Sequence, residues 1–170
     1  LPLFPGEVAL IIGDTGIGKT AICQAIAMAA APLKTLGFEL ELPLDLMFAR
    51  FVQMELGCKL QDVINDYRSN DESYVKSFKG LHHITVCPES GLSCEQIESY
   101  IQRSELKIGA PPALVVIDYI QLLRQHGSKS RYENTSNAAE QIKVIAKRTG
   151  TIIIMASQIS RPPKDRQGKI

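Results

Sequence analysis

The sequence predicts an α/β layered domain built on a mostly parallel sheet. Strand-like apolar runs alternate with helical stretches from one end of the 170 residues to the other. A glycine-rich turn, Gly13-Asp14-Thr15-Gly16-Ile17-Gly18-Lys19-Thr20, joins the first such run to the first helix. That turn, Glu41, Asp118 and Gln158 all fall at the carboxyl ends of predicted strands, where open parallel sheets bind ligands.

The elements follow in order. Pro5-Gly6 marks a turn before the first strand, Glu7 to Ile12. After the glycine loop, Ala21 to Ala30 is rich in good helix formers, and Pro32 ends the helix near Ala31. Phe38, Leu40 and Leu42 alternate with Glu39 and Glu41, which reads as a second strand reaching Leu42. Pro43 opens a helix from Leu44 to about Leu56, and Gly57 closes it. Lys59 to Gly80 is polar, with short helices near 60–67 and 73–78. His82 to Cys87 is a short strand. Ser93, with Gln96 three residues on, caps a helix to about Ser104. Ala113 to Ile117 is apolar without alternation, as in a strand covered on both faces, and it ends in Asp118. Residues 124–134 are basic and loop-like. A helix from about Asn134 to Arg148 carries Ala138, Ile142 and Ile145 on one stripe, with Glu140, Lys143 and Lys147 outside. Thr151 to Ala156 is another buried strand, followed by Ser157-Gln158 and a Pro-rich basic tail, 159–170.

Composition is that of an ordinary globular protein, with 45% hydrophobic and 22% charged residues. No apolar run approaches the roughly 18 residues of a membrane span. The chain starts at Leu1 without a secretory leader, and we expect an excised, C-terminally truncated piece of a longer protein forming one domain over 1–170. Cys23, Cys58, Cys87 and Cys94 make no C-x-x-C pair, which argues against zinc and for a reducing cytoplasm. Charge is uneven. Residues 1–123 carry 9 Lys+Arg against 15 Asp+Glu, whereas 124–170 carry 10 against 3. The basic end suggests a polyanionic partner.

The glycine loop fits G-x-x-x-x-G-K-[ST], the phosphate-binding P-loop, in its strand–loop–helix context. Its glycines let backbone N–H groups surround an anion, and the helix opening near Gly18 aims its positive end at the phosphates. Lys19 would reach the β- and γ-phosphates, and the Thr20 hydroxyl would ligate Mg²⁺. Asp118, after its hydrophobic run, is the usual acidic partner and would hold the same ion. Glu41 is the candidate to activate the attacking water. Glu39 is its competitor two residues back, and Glu41 is preferred as nearer the strand's end. Gln158 would sense the γ-phosphate through its amide. A small-molecule kinase would need an acceptor site and a lid, and neither is found.

Leu114-Val115-Val116-Ile117-Asp118-Tyr119-Ile120-Gln121-Leu122-Leu123 resembles the Walker B segment of DnaB-like replicative helicases. Phe38-Glu39-Leu40-Glu41-Leu42 is similar to that family's strand bearing the catalytic glutamate, with Glu41 aligned to it. Ser157-Gln158-Ile159-Ser160-Arg161 resembles its third motif, and Ile84 to Pro88 a further strand–helix unit. The likeness covers nearly the whole chain in the family's order. It implies a RecA-like ATPase fold with ATP and Mg²⁺ as cofactors. It also implies ring hexamers around single-stranded DNA, sites between subunits, and an arginine finger supplied in trans from beyond this sequence. The sheet would run third, second, fourth, fifth, first strand, leaving the P-loop strand on an edge. The DNA-touching loops would be 124–134 and the stretch after Gln158, with Lys129, Arg131, Arg161, Lys164, Arg166 and Lys169 supplying charge. Gly13 and Gly16 look closer to RecA or KaiC relatives. The same core also serves the alternative, a RecA/KaiC-like ATP-dependent switch or recombination factor without unwinding.

Overall fold

The computed structural model describes residues 2–69, 71, 73–77, 81–124 and 130–159, with Val75, Ser77, Ile108 and Arg131 described by backbone alone. Five strands form one sheet in the order β1-β5-β4-β2-β3, every pairing parallel. They are β1 (Val8–Gly13), β2 (Thr35–Glu39), β3 (Ile84–Cys87), β4 (Leu114–Asp118) and β5 (Ile152–Gln158). This is the expected order, with the P-loop strand on an edge.

The helices are α1 (Lys19–Ala29), α2 (Leu44–Leu56), α3 (Leu60–Ser69), α4 (Ser73–Ser77), α5 (Cys94–Ile108) and α6 (Arg131–Thr149). A 3-10 turn, Ile120–Leu122, follows β4. Both sheet faces are covered. On one, Val115, Ile117, Ile153 and Met155 meet Ile97 and Ile101 of α5 and Ala138, Ile142, Ile145 and Ala146 of α6. On the other, Leu114, Val116, Ile154 and Ala156 meet Cys23 and Ala27 of α1. All five residues of β4 are therefore buried, which is why its sequence shows no alternation. Full burial of Ile117, Ile142 and Ile153 stabilises the fold by roughly 1.5–3 kcal/mol each.

Several boundaries differ from the sequence expectation, four of them with a plain cause or consequence. Helix α1 stops at Ala29, two residues early. Helix α5 runs on to Ile108, because Glu105, Leu106 and Lys107 favour helix and Gly109 closes it by donating to the Glu105 carbonyl. Helix α6 begins at Arg131 rather than Asn134, because the Ser130 hydroxyl accepts from the Glu133 N–H and caps the first turn. Strand β2 ends at Glu39, not Leu42. The Leu40 N–H still donates to the Asp118 carbonyl at 3.0 Å, but the next two N–H groups turn back to the Glu39 carboxylate.

Candidate active site

The loop between β1 and α1 takes the shape its glycines allow. Gly16 and Gly18 have φ of 83° and 95°, a region that costs other residues strain. Gly18 is the N-cap of α1 and supplies no side-chain cap, so no capping side chain competes for the first-turn N–H groups. Lys19 is 7% exposed. Its ammonium donates to the Gly13 carbonyl at 3.0 Å and the Asp14 carbonyl at 2.7 Å. The Gly13 carbonyl also accepts from the Ile159 N–H at 3.2 Å.

A cavity of about 260 Å³ opens over the carboxyl ends of β1, β4 and β5. Thr15, Gly16, Gly18, Lys19, Thr20, Glu41, Asp118 and Gln158 line it, joined by Arg50 of α2. The chain thus brings Thr15, Gly16, Gly18, Lys19 and Thr20 of the loop together with Asp118, Glu41 and Gln158, whereas Gly13, Asp14 and Ile17 do not line the cavity. Asp118 is 4% exposed. Burial pushes its carboxyl above the usual range, against a hydrogen bond from Thr20 and the charges of Lys19 and Arg50. Its second oxygen, Oδ2, is buried and has no hydrogen-bond partner.

Glu39 goes elsewhere. It sits opposite Asp118 in the β2–β4 register and lines a small void of about 30 Å³ with Cys23, Gln24 and Asp118. It stands beside Thr20 and Asp118 there and does not line the cavity that Glu41 shares with the loop. Burial raises its pKa, partly offset by the Leu42 N–H. Burial, with the charges of Asp118 and Glu39, pushes the Cys23 thiol up to about 12, so this cysteine is an inert packing group.

Two residues went unassigned in the sequence. Arg50 is the one Lys or Arg between Thr35 and Cys58, and that isolation was its signal. Gln121, within the Walker B string, clasps the end of β5. Its Nε2 donates to Ser157 Oγ at 2.8 Å and to the Gln158 carbonyl at 2.9 Å, and its Oε1 accepts from the Gln158 N–H at 3.3 Å. Nothing in the string itself signals that clasp. The predicted DNA contacts Lys129, Arg161, Lys164, Arg166 and Lys169, and the Arg131 side chain, lie outside the described residues.

A larger cavity, about 670 Å³, lies between α2 and α3. Its lining is mostly apolar, with Asp45 and Arg68 as the charged members, and it holds none of the loop residues. Among the described residues no helix is long and apolar enough to cross a membrane.

The chain resembles known proteins over nearly its whole length. The chain is 24% identical to a replicative DNA helicase DnaB from Leifsonia xyli over 176 aligned residues, covering 99% of this chain and 38% of that relative. It superposes on a solved ATPase domain with a TM-score of 0.80 at 21% identity, covering 98% of this chain and 62% of that one. A DnaB-like replicative helicase, solved in a study of its interactions with primase, gives a TM-score of 0.79 at 21% identity, covering 96% and 41%. These likenesses identify the fold as RecA-like. Residues 3–170 match the family described as DnaB-like helicase C terminal domain, and the chain belongs to that family.

Proposed function

We propose that this chain is the ATP-hydrolysing motor domain of a DnaB-like DNA helicase, coupling hydrolysis to translocation on single-stranded DNA and to unwinding. One observation carries the proposal. The P-loop, Thr20, the buried Asp118 and Glu41 line a single cavity in a chain of this family.

The loop N–H groups and Lys19 bind the phosphates; Lys19 exchanges its two carbonyl acceptors for phosphate oxygens. The donor set suits Mg²⁺. Thr20 and Asp118 offer hard oxygens, and the unmet Oδ2 of Asp118 is an acceptor awaiting a cation. When bound, Mg²⁺ neutralises phosphate charge during transfer. Glu41 orients the attacking water and takes its proton, and Arg50 and Gln158 face the same cavity as further donors.

We read 1–170 as one ATPase domain of a longer cytoplasmic protein that forms a ring hexamer, with basic stretches 124–134 and 159–170 against the DNA backbone. Family membership and the basic end of the chain support this. The test is ATP hydrolysis by the full-length protein, with and without single-stranded DNA, in Mg²⁺ at stated salt. Stimulation by DNA is expected, followed by strand displacement. Turnover indifferent to DNA would overturn the motor reading and favour a protein-directed switch.

A further inference from the structure

Glu39 has no part in the chemistry above, yet it is 6% exposed and stands in register with Asp118 on the neighbouring strand. A carboxylate buried beside another carboxylate is costly, and burial accordingly raises its proton affinity. Something must offset that cost.

The backbone after β2 shows what does. Leu40 closes the sheet ladder by donating to the Asp118 carbonyl at 3.0 Å. Pro43 has no N–H, and its carbonyl accepts from Met47 in the first turn of α2. Between ladder and helix, the backbone donors are those of Glu41 and Leu42. Glu39 Oε1 accepts from both, at 3.2 Å and 2.9 Å. Glu41 and Leu42 are also the residues of this segment that line the cavity beside Thr20, Lys19 and Asp118. One buried oxygen therefore fixes the short bridge that carries Glu41 over the site.

We propose that Glu39 is the positioning residue for Glu41: its carboxylate, holding the amides of Glu41 and Leu42, sets where the Glu41 side chain stands in the cavity. This rests on the reading of Glu41 as the group that activates water. What the role needs is an acceptor oxygen at the reach of a glutamate. Charge is not needed. Glutamine has the reach without the charge, and aspartate has the charge without the reach.

The test compares Glu39→Gln, Glu39→Asp and Glu39→Ala in the full-length protein. It measures ATP turnover, affinity for a fluorescent ATP analogue, and amide hydrogen exchange over residues 40–43. Glu39→Ala and Glu39→Asp should lower kcat about a hundredfold, the size of effect expected for a misplaced reacting group. Nucleotide affinity should stay within about threefold, because the loop is untouched. Exchange at the Glu41 and Leu42 amides should accelerate in both. Glu39→Gln should keep slow exchange and near-normal turnover. In a Glu41→Gln background, Glu39→Ala should lower kcat no further, because it acts through the residue already removed.

Normal kcat in Glu39→Asp, or Glu39→Gln as impaired as Glu39→Ala, would overturn the proposal. So would an additive loss in the double variant. Failure of the underlying reading looks different: Glu41→Gln would itself retain full turnover. If Glu39→Ala does not fold, the Gln and Asp variants still decide between reach and charge.

Discussion

Replacing Asp118 with Asn should make the metal-free protein more stable while removing its response to Mg²⁺ and ATP. Asp118 is almost wholly buried, keeps one oxygen without a partner, and lies in register with the equally buried Glu39. Lys19, the nearest stabilising cation in the loop, already donates to two backbone carbonyls. An unmet buried acceptor costs about 1–3 kcal/mol, and more when charged. Asn keeps the shape and the contact with Thr20 but still leaves one polar atom unmet. The gain is therefore the difference between a charged and a neutral orphan, about 1 kcal/mol. For a chain of this length that raises Tm by about 2–4 °C. The sign with pH follows from burial, which raises the folded-state pKa of Asp118. A raised carboxyl favours the fold below its ordinary, unfolded pKa, and that stability is lost as pH rises through the higher folded value. The variant's advantage should thus be full near neutral pH, shrink as pH falls through the folded value, and vanish below the ordinary carboxylate range. Thermal unfolding of both proteins in EDTA across pH measures it. A lower Tm for Asp118→Asn near neutrality, or a gap constant with pH, would refute the reasoning. Addition of Mg²⁺ with ATP should then raise the Tm of the wild type and leave the variant nearly unmoved.

Other outcomes follow from the same site. Lys19→Ala should weaken nucleotide binding by about ten- to a hundredfold, the worth of a charge-assisted hydrogen bond, measured with a fluorescent ATP analogue. Glu41→Gln should leave that affinity intact and lower turnover by about a hundredfold or more, measured by phosphate release at saturating ATP. The loop glycines should differ from one another. At Gly18 a Cβ meets nothing within 4 Å, but φ is 95°, so Gly18→Ala should cost about 1–2 kcal/mol through backbone strain alone. At Gly13 a Cβ would come within 2.1 Å of the tip of Ile17, an exposed side chain that can rotate away. Gly13→Ala should therefore melt close to wild type and Gly18→Ala clearly below it.

Much of the fold was legible because its signals are local. The apolar runs of β1, β4 and β5 and the Pro43 and Gly57 bounds of α2 each carry their own physical cause. The loop could be read because its chemistry dictates its spelling. The end of β2 was misread for a non-local reason. Phe38, Leu40 and Leu42 alternate with two glutamates as if on a half-exposed strand, but β2 lies between β4 and β3, and Glu39 is inside. Whether a glutamate in such a run faces water or clamps its own backbone depends on neighbours 79 residues away in sequence, at Asp118. The start of α6 is legible in Ser130-x-x-Glu133, a capping pattern that lies inside a basic stretch. Gln121 was out of reach: it clasps a strand that arrives 36 residues later, which no pattern around it announces.

The Gly13 carbonyl has a mechanical consequence. Its oxygen serves two donors, the Lys19 ammonium and the Ile159 amide. The first is the donor that a phosphate would draw off. The second begins the chain's departure from the sheet after β5. Were Lys19 to swing to a phosphate, the oxygen's electron density would no longer be divided, and its hold on Ile159 would tighten. Whether the cavity is filled, and how firmly Ile159 is held, would thus be registered by a single atom. A signal from nucleotide to Ile159 would then be as short as two hydrogen bonds on one hinge pin.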